Sequence, residues 1–81
     1  MIQVTVRLYA TLRRFAPAGL PAGASFAVSL APGSTLADLV RQLRLPPEET
    51  KQFFVLSRQR DMDFVLHDGD DLAIFPPVGG G

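Results

Sequence analysis

Residues 2–8, IQVTVRL, alternate strictly between apolar and polar side chains. Successive side chains of a β-strand point to opposite faces of the sheet, so this segment has one apolar and one polar face. Residues 71–75, DLAIF, repeat the pattern near the other end of the chain, with Leu72 and Ile74 on one face. Both segments therefore predict strands that are buried on one side only.

The segments that follow the first strand predict a second strand and one helix. Residues 25–30 alternate again and end at a Pro-Gly turn signal. Ser34 or Thr35 can then cap a helix that starts at Leu36 and carries an apolar stripe of leucine and valine side chains. The proline pair at residues 46–47 ends this helix.

Four other segments give weaker patterns. Residues 10–16 predict a short helical turn that precedes a Pro- and Gly-rich loop. Residues 53–57, FFVLS, are β-prone, whereas residues 58–63 are polar and predict a turn. Residues 64–66 are a further short apolar segment of the kind that strands contain.

This order of elements favours an α+β domain with one main helix across one face of a mixed sheet of four to five strands. The first and last strands have the best apolar faces, so we expect them side by side in the centre, where they can pair in parallel. This is the β-grasp, or ubiquitin-like, topology. We assign it to residues 1–75, followed by an extended C-terminal tail over residues 76–81.

The composition excludes several classes of function. The 81 residues include 8 basic and 8 acidic side chains, so the basic surplus that a nucleic-acid binder needs is missing. No apolar run approaches the ~18 residues of a membrane span, and the alternating start does not resemble a secretory leader. Without cysteine, disulfide and thiol chemistry are excluded. We expect a cytoplasmic protein without nucleic-acid or membrane partners.

No metal site or private active site is predicted. A domain of this size buries only about 60% of its unfolded surface, which leaves little room for a deep catalytic pocket. The aspartates between residues 61 and 71 lack the spacing of a calcium loop, and His67 is expected to be a turn residue. We therefore expect the chain to act through a partner.

The last seven residues, 75–81, read FPPVGGG. The two prolines fix φ and remove two hydrogen-bond donors, so they predict a stiff, extended segment. Gly79, Gly80 and Gly81 leave bare backbone that can enter a channel too narrow for any Cβ atom. Terminal residues are often merely frayed. A rigid spacer that leads directly to a glycine strip nevertheless favours a functional tail.

Residues 68–78, DGDDLAIFPPV, followed by Gly80 and Gly81, resemble the final strand and double-glycine end of molybdopterin synthase small subunits. These proteins belong to the MoaD/ThiS group of ubiquitin-like sulfur carriers. Residues 9–13, YATLR, are similar to the aromatic-Ala-x-aliphatic-Arg run after the first strand of that family. One departure is Gly79, where relatives commonly carry Ala, Ser or Thr.

The resemblance implies a chemical role for Gly81. In this family a ubiquitin-activating-type adenylyltransferase uses ATP to adenylylate the terminal glycine, which is converted to a thiocarboxylate that donates sulfur. The large subunit of molybdopterin synthase would then be the second partner, in a hetero-oligomer. The chain itself would bind no cofactor and would be a non-catalytic, sulfur-carrying subunit.

The partner-binding surface is expected at the root of the tail. If the first and last strands are neighbours, the rings of Tyr9 and Phe75 can form an apolar anchor there. The alternative is that both rings belong to the core, and for Phe75 the sequence favours neither position. The expected partner-binding residues are Tyr9, Arg13, Phe75, Pro76, Pro77 and Val78.

Three alternatives use the same chain differently. A protein modifier would join Gly81 to lysines of target proteins through an isopeptide bond. A sulfur carrier for thiamin, cysteine or tRNA thiolation would share the thiocarboxylate but deliver it elsewhere. A β-grasp adaptor would leave the tail without a chemical role.

Overall fold

The computed structural model describes residues 1–21, 23–50 and 52–77. In chain order the elements are β1 (Ile2–Leu8), a 3-10 helix (Ala10–Phe15), β2 (Phe26–Leu30), α1 (Leu36–Leu43), a second 3-10 helix (Pro47–Glu49), β3 (Gln52–Val55), β4 (Arg58–Arg60) and β5 (Asp71–Phe75).

The strands form one mixed sheet in the order β2-β1-β5-β3-β4. Strands β1 and β5 are parallel neighbours, with Val6 level with Leu72. The other three pairs are antiparallel. The predicted α+β fold with a central parallel pair of first and last strands is therefore confirmed.

One face of the sheet carries the hydrophobic core. The alternating apolar residues of β1 and β5 point to this face, and α1 contributes Leu36, Leu39 and Val40 to the same cluster. We call this face the covered face and the opposite one the open face. The buried core residues are Val4, Val6, Leu8, Leu12, Val28, Leu30, Leu36, Leu39, Val40, Leu45, Phe53, Val55, Leu66, Leu72 and Ile74.

Helix α1 begins and ends at recognisable caps. The Asp38 amide donates to Thr35 Oγ1 at 3.3 Å, and Asp38 Oδ2 accepts from the Thr35 amide at 2.9 Å, which completes a capping box. The bond from the Thr35 amide is the main cause that lowers the pKa of the Asp38 carboxyl. The helix ends at Arg44, whose φ of 57° is left-handed. Among the described helices, none is long and apolar enough to span a membrane.

Two predictions for the segment after β3 were wrong. Residues 58–63 were expected to be a turn, but Arg58–Arg60 form β4, and the turn lies earlier, at Leu56 and Ser57 with φ of 51° and 69°. Residues 64–66 do not form a strand; Val65 makes a single bridge with Thr35. Consecutive left-handed residues join tight hairpins, which explains the early turn.

Candidate functional site

Alternate side chains of the three central strands point to the open face. In register, Arg7 of β1 lies beside Ala73 of β5, and Ala73 lies beside Phe54 of β3. These three residues therefore form one row across the middle of the sheet. One level further along, Phe75 lies opposite Gln52, and Tyr9 follows the end of β1.

Three aromatic rings meet where β1 and β5 end. The rings of Tyr9 and Phe75 are stacked, with centroids 4.3 Å apart and planes 6° apart. Phe54 meets Phe75 edge-on, with centroids 5.5 Å apart and planes 84° apart. All three residues are half-buried and lie outside the buried core. This aromatic cluster stands on the open face directly before the predicted tail.

A groove of about 330 Å³ runs over the middle of the open face beside the aromatic cluster. Its floor is at Ala73, because the side chain of alanine is much shorter than those of Arg7 and Phe54 in the same row. We call it the Ala73 groove. The residues that line it are Arg7, Tyr9, Phe54, Ser57, Asp71, Leu72, Ala73 and Phe75.

Arg7 carries an unsatisfied polar atom in this groove. Its Nε atom is buried and has no hydrogen-bond acceptor in the part of the chain that the structure describes. Asp71 lines the same groove, yet no ion pair between it and Arg7 is found among the described residues. A buried donor left without an acceptor costs about 1–3 kcal/mol. The arrangement leaves a cation on the open face with unused hydrogen-bonding capacity.

Of the remaining residues predicted for the tail, only Pro76 and Pro77 are among those that the structure describes. Pro76 is half-buried and Pro77 is exposed, and both continue directly from β5. Val78, Gly79, Gly80 and Gly81 lie outside the described residues. The chemical role of the glycines and the division of the chain at residue 75 stay predictions.

The structure does not place Arg13 with the aromatic cluster. Arg13 is exposed on the first 3-10 helix and lines a different groove, of about 420 Å³, together with Arg14 and Leu20. Arg14 itself pairs with Glu49 at 2.7 Å. A partner that contacts both Arg13 and Phe75 must therefore cover two grooves.

The acidic residues near β5 hold the turn that leads into the strand. Asp70 Oδ2 accepts a hydrogen bond from the His67 amide at 2.8 Å, and Asp68 Oδ1 accepts one from the Gln3 amide at 2.8 Å. These side-chain bonds replace backbone partners, as aspartates commonly do in turns. Within residues 1–21, 23–50 and 52–77, no group of side chains suited to binding a metal ion is found.

Three residues of the groove escaped the sequence analysis. Phe54 was grouped with a β-prone run, and Arg7 and Ala73 were included only as parts of the two predicted strands, residues 2–8 and 71–75. Their common position becomes visible only through the pairing register of β1, β5 and β3. The sequence does carry one signal for these residues. Each lies between two core residues of its strand, so its side chain must point to the opposite face of the sheet.

Comparison with protein-family models places residues 6–81 in the family described as ThiS. The chain belongs to the ThiS family. Because the match spans almost the whole chain, the resemblance to MoaD/ThiS-type ubiquitin-like proteins is confirmed. No curated protein matches the chain.

Solved structures of archaeal proteins share the fold. The HVO 2177 protein of Haloferax volcanii has a TM-score of 0.75 at 25% identity and covers 99% of this chain and 87% of its own. A candidate molybdopterin converting factor, subunit 1, from Pyrococcus furiosus has a TM-score of 0.72 at 24% identity, with coverage of 96% and 100%. Small archaeal modifier protein 1 of Haloferax volcanii reaches 0.72 at 19% identity, with the same coverage. The predicted β-grasp, ubiquitin-like fold is thereby confirmed.

Proposed function

We propose that this chain is the sulfur-carrying small subunit of a molybdopterin synthase and that Gly81 bears the transferred sulfur. The observation that carries the proposal is the extent of the family match, which continues past the folded strands to residue 81. The matched region therefore includes the glycine end. The likeness to the Pyrococcus furiosus protein supports the choice of the molybdopterin pathway.

The chemistry begins with an anionic carboxylate. An α-carboxyl group has an ordinary pKa of about 3.5, so at neutral pH the Gly81 terminus is a weak oxygen nucleophile. Held by an adenylyltransferase, one carboxylate oxygen attacks the α-phosphorus of ATP, and pyrophosphate leaves. Hydrosulfide then attacks the acyl carbon of the adenylate, AMP leaves, and a thiocarboxylate remains. ATP binding and acid-base catalysis belong to the partner enzyme.

The aromatic cluster would hold the partner at the base of the tail. Tyr9 and Phe75 offer a rigid apolar surface that is half-exposed in the isolated chain. Large aromatic side chains of this kind dominate the binding energy of many protein interfaces. A partner that covers them gains affinity without gripping the glycines, which is useful because the terminal carboxylate must be released after each transfer.

The alternatives differ in the nucleophile or in the acceptor. A protein modifier would direct the activated carboxyl to a lysine amine, and the fold of this chain resembles small archaeal modifier protein 1 as well as the molybdopterin factor. Sulfur carriers for thiamin, cysteine or tRNA thiolation would form the same thiocarboxylate. Fold similarity alone does not separate these roles.

Intact-mass spectrometry tests the first step. The purified chain is incubated with the adenylyltransferase of its own genome, ATP and hydrosulfide, and the mass is expected to rise by the difference between sulfur and oxygen. A chain that lacks residues 79–81 is the control, because deletion of Gly81 alone would leave Gly79 and Gly80 as a new double-glycine end. It should show no exchange and should melt at the same temperature as the intact chain, because terminal residues contribute little to stability.

The second step separates the pathways. Added large subunit and pterin precursor should consume the thiocarboxylate and form molybdopterin. If the thiocarboxylate persists in this mixture, the chain delivers its sulfur to another acceptor. If the chain instead becomes covalently attached to lysines of other proteins, it is a protein modifier. An intact chain whose mass never changes would contradict the sulfur-carrier proposal.

A further inference from the structure

The Ala73 groove has the shape of a socket for one partner side chain. Arg7 and Phe54 flank Ala73 in the same row of the sheet, and the aromatic cluster closes one end. The groove measures about 330 Å³, enough to accept a single inserted side chain. The groove opens beside Phe75, which is the last residue of β5. A protein that holds the tail therefore also reaches the groove.

The chemistry of the walls restricts what can enter. Phe54 and Phe75 provide apolar surface on one side, which suits an aliphatic stem. Arg7 provides a cation whose Nε atom lacks an acceptor among the described residues. A side chain with an apolar stem and an anionic end fits both requirements, since carboxylates are the preferred partners of guanidinium groups.

The missing acceptor is not supplied from within the described chain. Asp71 is the acidic residue that lines the groove, but it forms no ion pair with Arg7 in residues 1–21, 23–50 and 52–77. Arg7 is half-buried, and part of its side chain faces the groove. A change of rotamer, which is common when interfaces form, would turn the guanidinium toward an incoming carboxylate.

We infer that the enzyme that adenylylates Gly81 inserts a glutamate or aspartate side chain into the Ala73 groove, where its stem lies over Ala73 and its carboxylate accepts hydrogen bonds from Arg7. The inference rests on the proposed function and names a recognition contact for it. The adenylating enzyme is the fitting partner because every role that uses the tail chemically requires activation first.

The charges of the groove predict opposite effects for two substitutions. An anionic occupant is attracted by Arg7 and repelled by Asp71, which lies two residues from Ala73 on the same face. Neutralising Arg7 should therefore weaken binding, and neutralising Asp71 should strengthen it. A cationic occupant would reverse both signs.

The first experiment fills the Ala73 groove with a larger side chain at its floor. Binding of the full chain to the adenylating enzyme of the same genome is measured by calorimetry for wild type and for Ala73→Leu. We expect the dissociation constant to rise on the order of tenfold or more, because the inserted side chain loses its place. Ala27→Leu is the matched control, since Ala27 is exposed on the same face but lies on the outer strand β2. It should bind like wild type.

The second experiment determines the charge of the inserted side chain and leaves Ala73, at the floor of the groove, unchanged. Arg7→Gln should raise the dissociation constant several-fold, Asp71→Asn should lower it, and both effects should shrink at high salt. Arg58→Gln is the charge-matched control, because Arg58 is exposed on β4 outside the groove. Thermal melting of each variant confirms that it is folded.

The outcomes separate this inference from the proposed function. If Ala73→Leu binds as well as Ala27→Leu, the socket is not used and the inference is overturned. If Arg7→Gln has no effect, or Asp71→Asn weakens binding, an acidic occupant is excluded even where Ala73→Leu fails to fold. Sulfur exchange at Gly81 is read by mass on the wild-type chain in parallel, so the proposed function can stand while the inference falls.

Discussion

The two faces of the sheet differ most clearly within a single strand. In β5, Ile74 is fully buried in the hydrophobic core, whereas the next residue, Phe75, is half-buried on the open face and stacked on Tyr9. One residue of register therefore separates a side chain that stabilises the fold from one that is available to a partner. A small domain can use both faces of one sheet only if the two roles are kept apart in this way.

The chemistry of the faces follows the same division. The core residues of the covered face are aliphatic and aromatic. The open face combines aromatic rings, the charged residues Arg7 and Asp71, and the Ala73 groove. A face that only met water would need neither stacked rings nor a buried guanidinium nitrogen without an acceptor. Stability and recognition can therefore be tested separately, by substitutions at adjacent positions of one strand.

The largest effect is expected from Ile74→Ala on the covered face. Removal of this fully buried side chain deletes apolar contacts and leaves a cavity, so the free energy of unfolding should fall by about 2–5 kcal/mol. Urea denaturation followed by circular dichroism measures it. Thr5→Ala, an exposed position of β1, is the control and should change stability by less than about 0.5 kcal/mol. Equal losses for the two variants would abolish the distinction between the faces.

A smaller loss of stability is expected from Phe75→Ala on the open face. The ring pair with Tyr9 contributes roughly 0.5–1.5 kcal/mol beyond the area that it buries, so this variant should remain folded. The loss of binding free energy to the adenylating enzyme should exceed the loss in the free energy of unfolding. Phe26→Ala is the control, because Phe26 packs against the core from β2. If Phe26→Ala impaired binding as strongly as Phe75→Ala, the open face would not be the docking surface.

The smallest effect concerns acid stability on the helix side. Hydrogen bonds from Thr35 lower the pKa of the Asp38 carboxyl below its ordinary value of 3.8. Its contribution to stability is therefore fully present above that value and is lost as the pH falls through the lower folded-state pKa. Between about pH 5 and pH 2, wild type should lose slightly more stability than Asp38→Asn, which cannot titrate there. Melting curves at several pH values measure the difference, and identical slopes would show that the capping box does not depend on charge.

The elements with regular patterns could be predicted from the sequence, and β4 could not. β1, β2 and β5 alternate, and α1 has a cap and an apolar stripe, because each buries one face against the core. β4 is three exposed polar residues at the edge of the sheet, so burial leaves no pattern in it. Its hairpin also uses Leu56 and Ser57 in left-handed conformations, without the Asn or Gly that usually signal such a turn.

The candidate site was predictable to a similar extent. The proximity of Tyr9 and Phe75 follows from the expected pairing of the first and last strands. The Ala73 groove depends on which residue of β1 lies beside which residue of β5, and alternation determines the face of a residue but not its level along the sheet. The unsatisfied Nε atom of Arg7 is a property of packing that no sequence pattern encodes.

The central pairing of the chain's two ends has a consequence for incomplete molecules. The Gln3 amide bonds to the Asp68 side chain across a separation of 65 residues, and β1 then runs beside β5. A nascent chain that stops before Asp71 lacks the middle strand of its sheet and has nothing to complete the core, so it should be degraded rather than accumulate. A molecule shortened only at its glycines keeps the whole sheet, and under the proposed function it would compete with the intact chain for the adenylating enzyme.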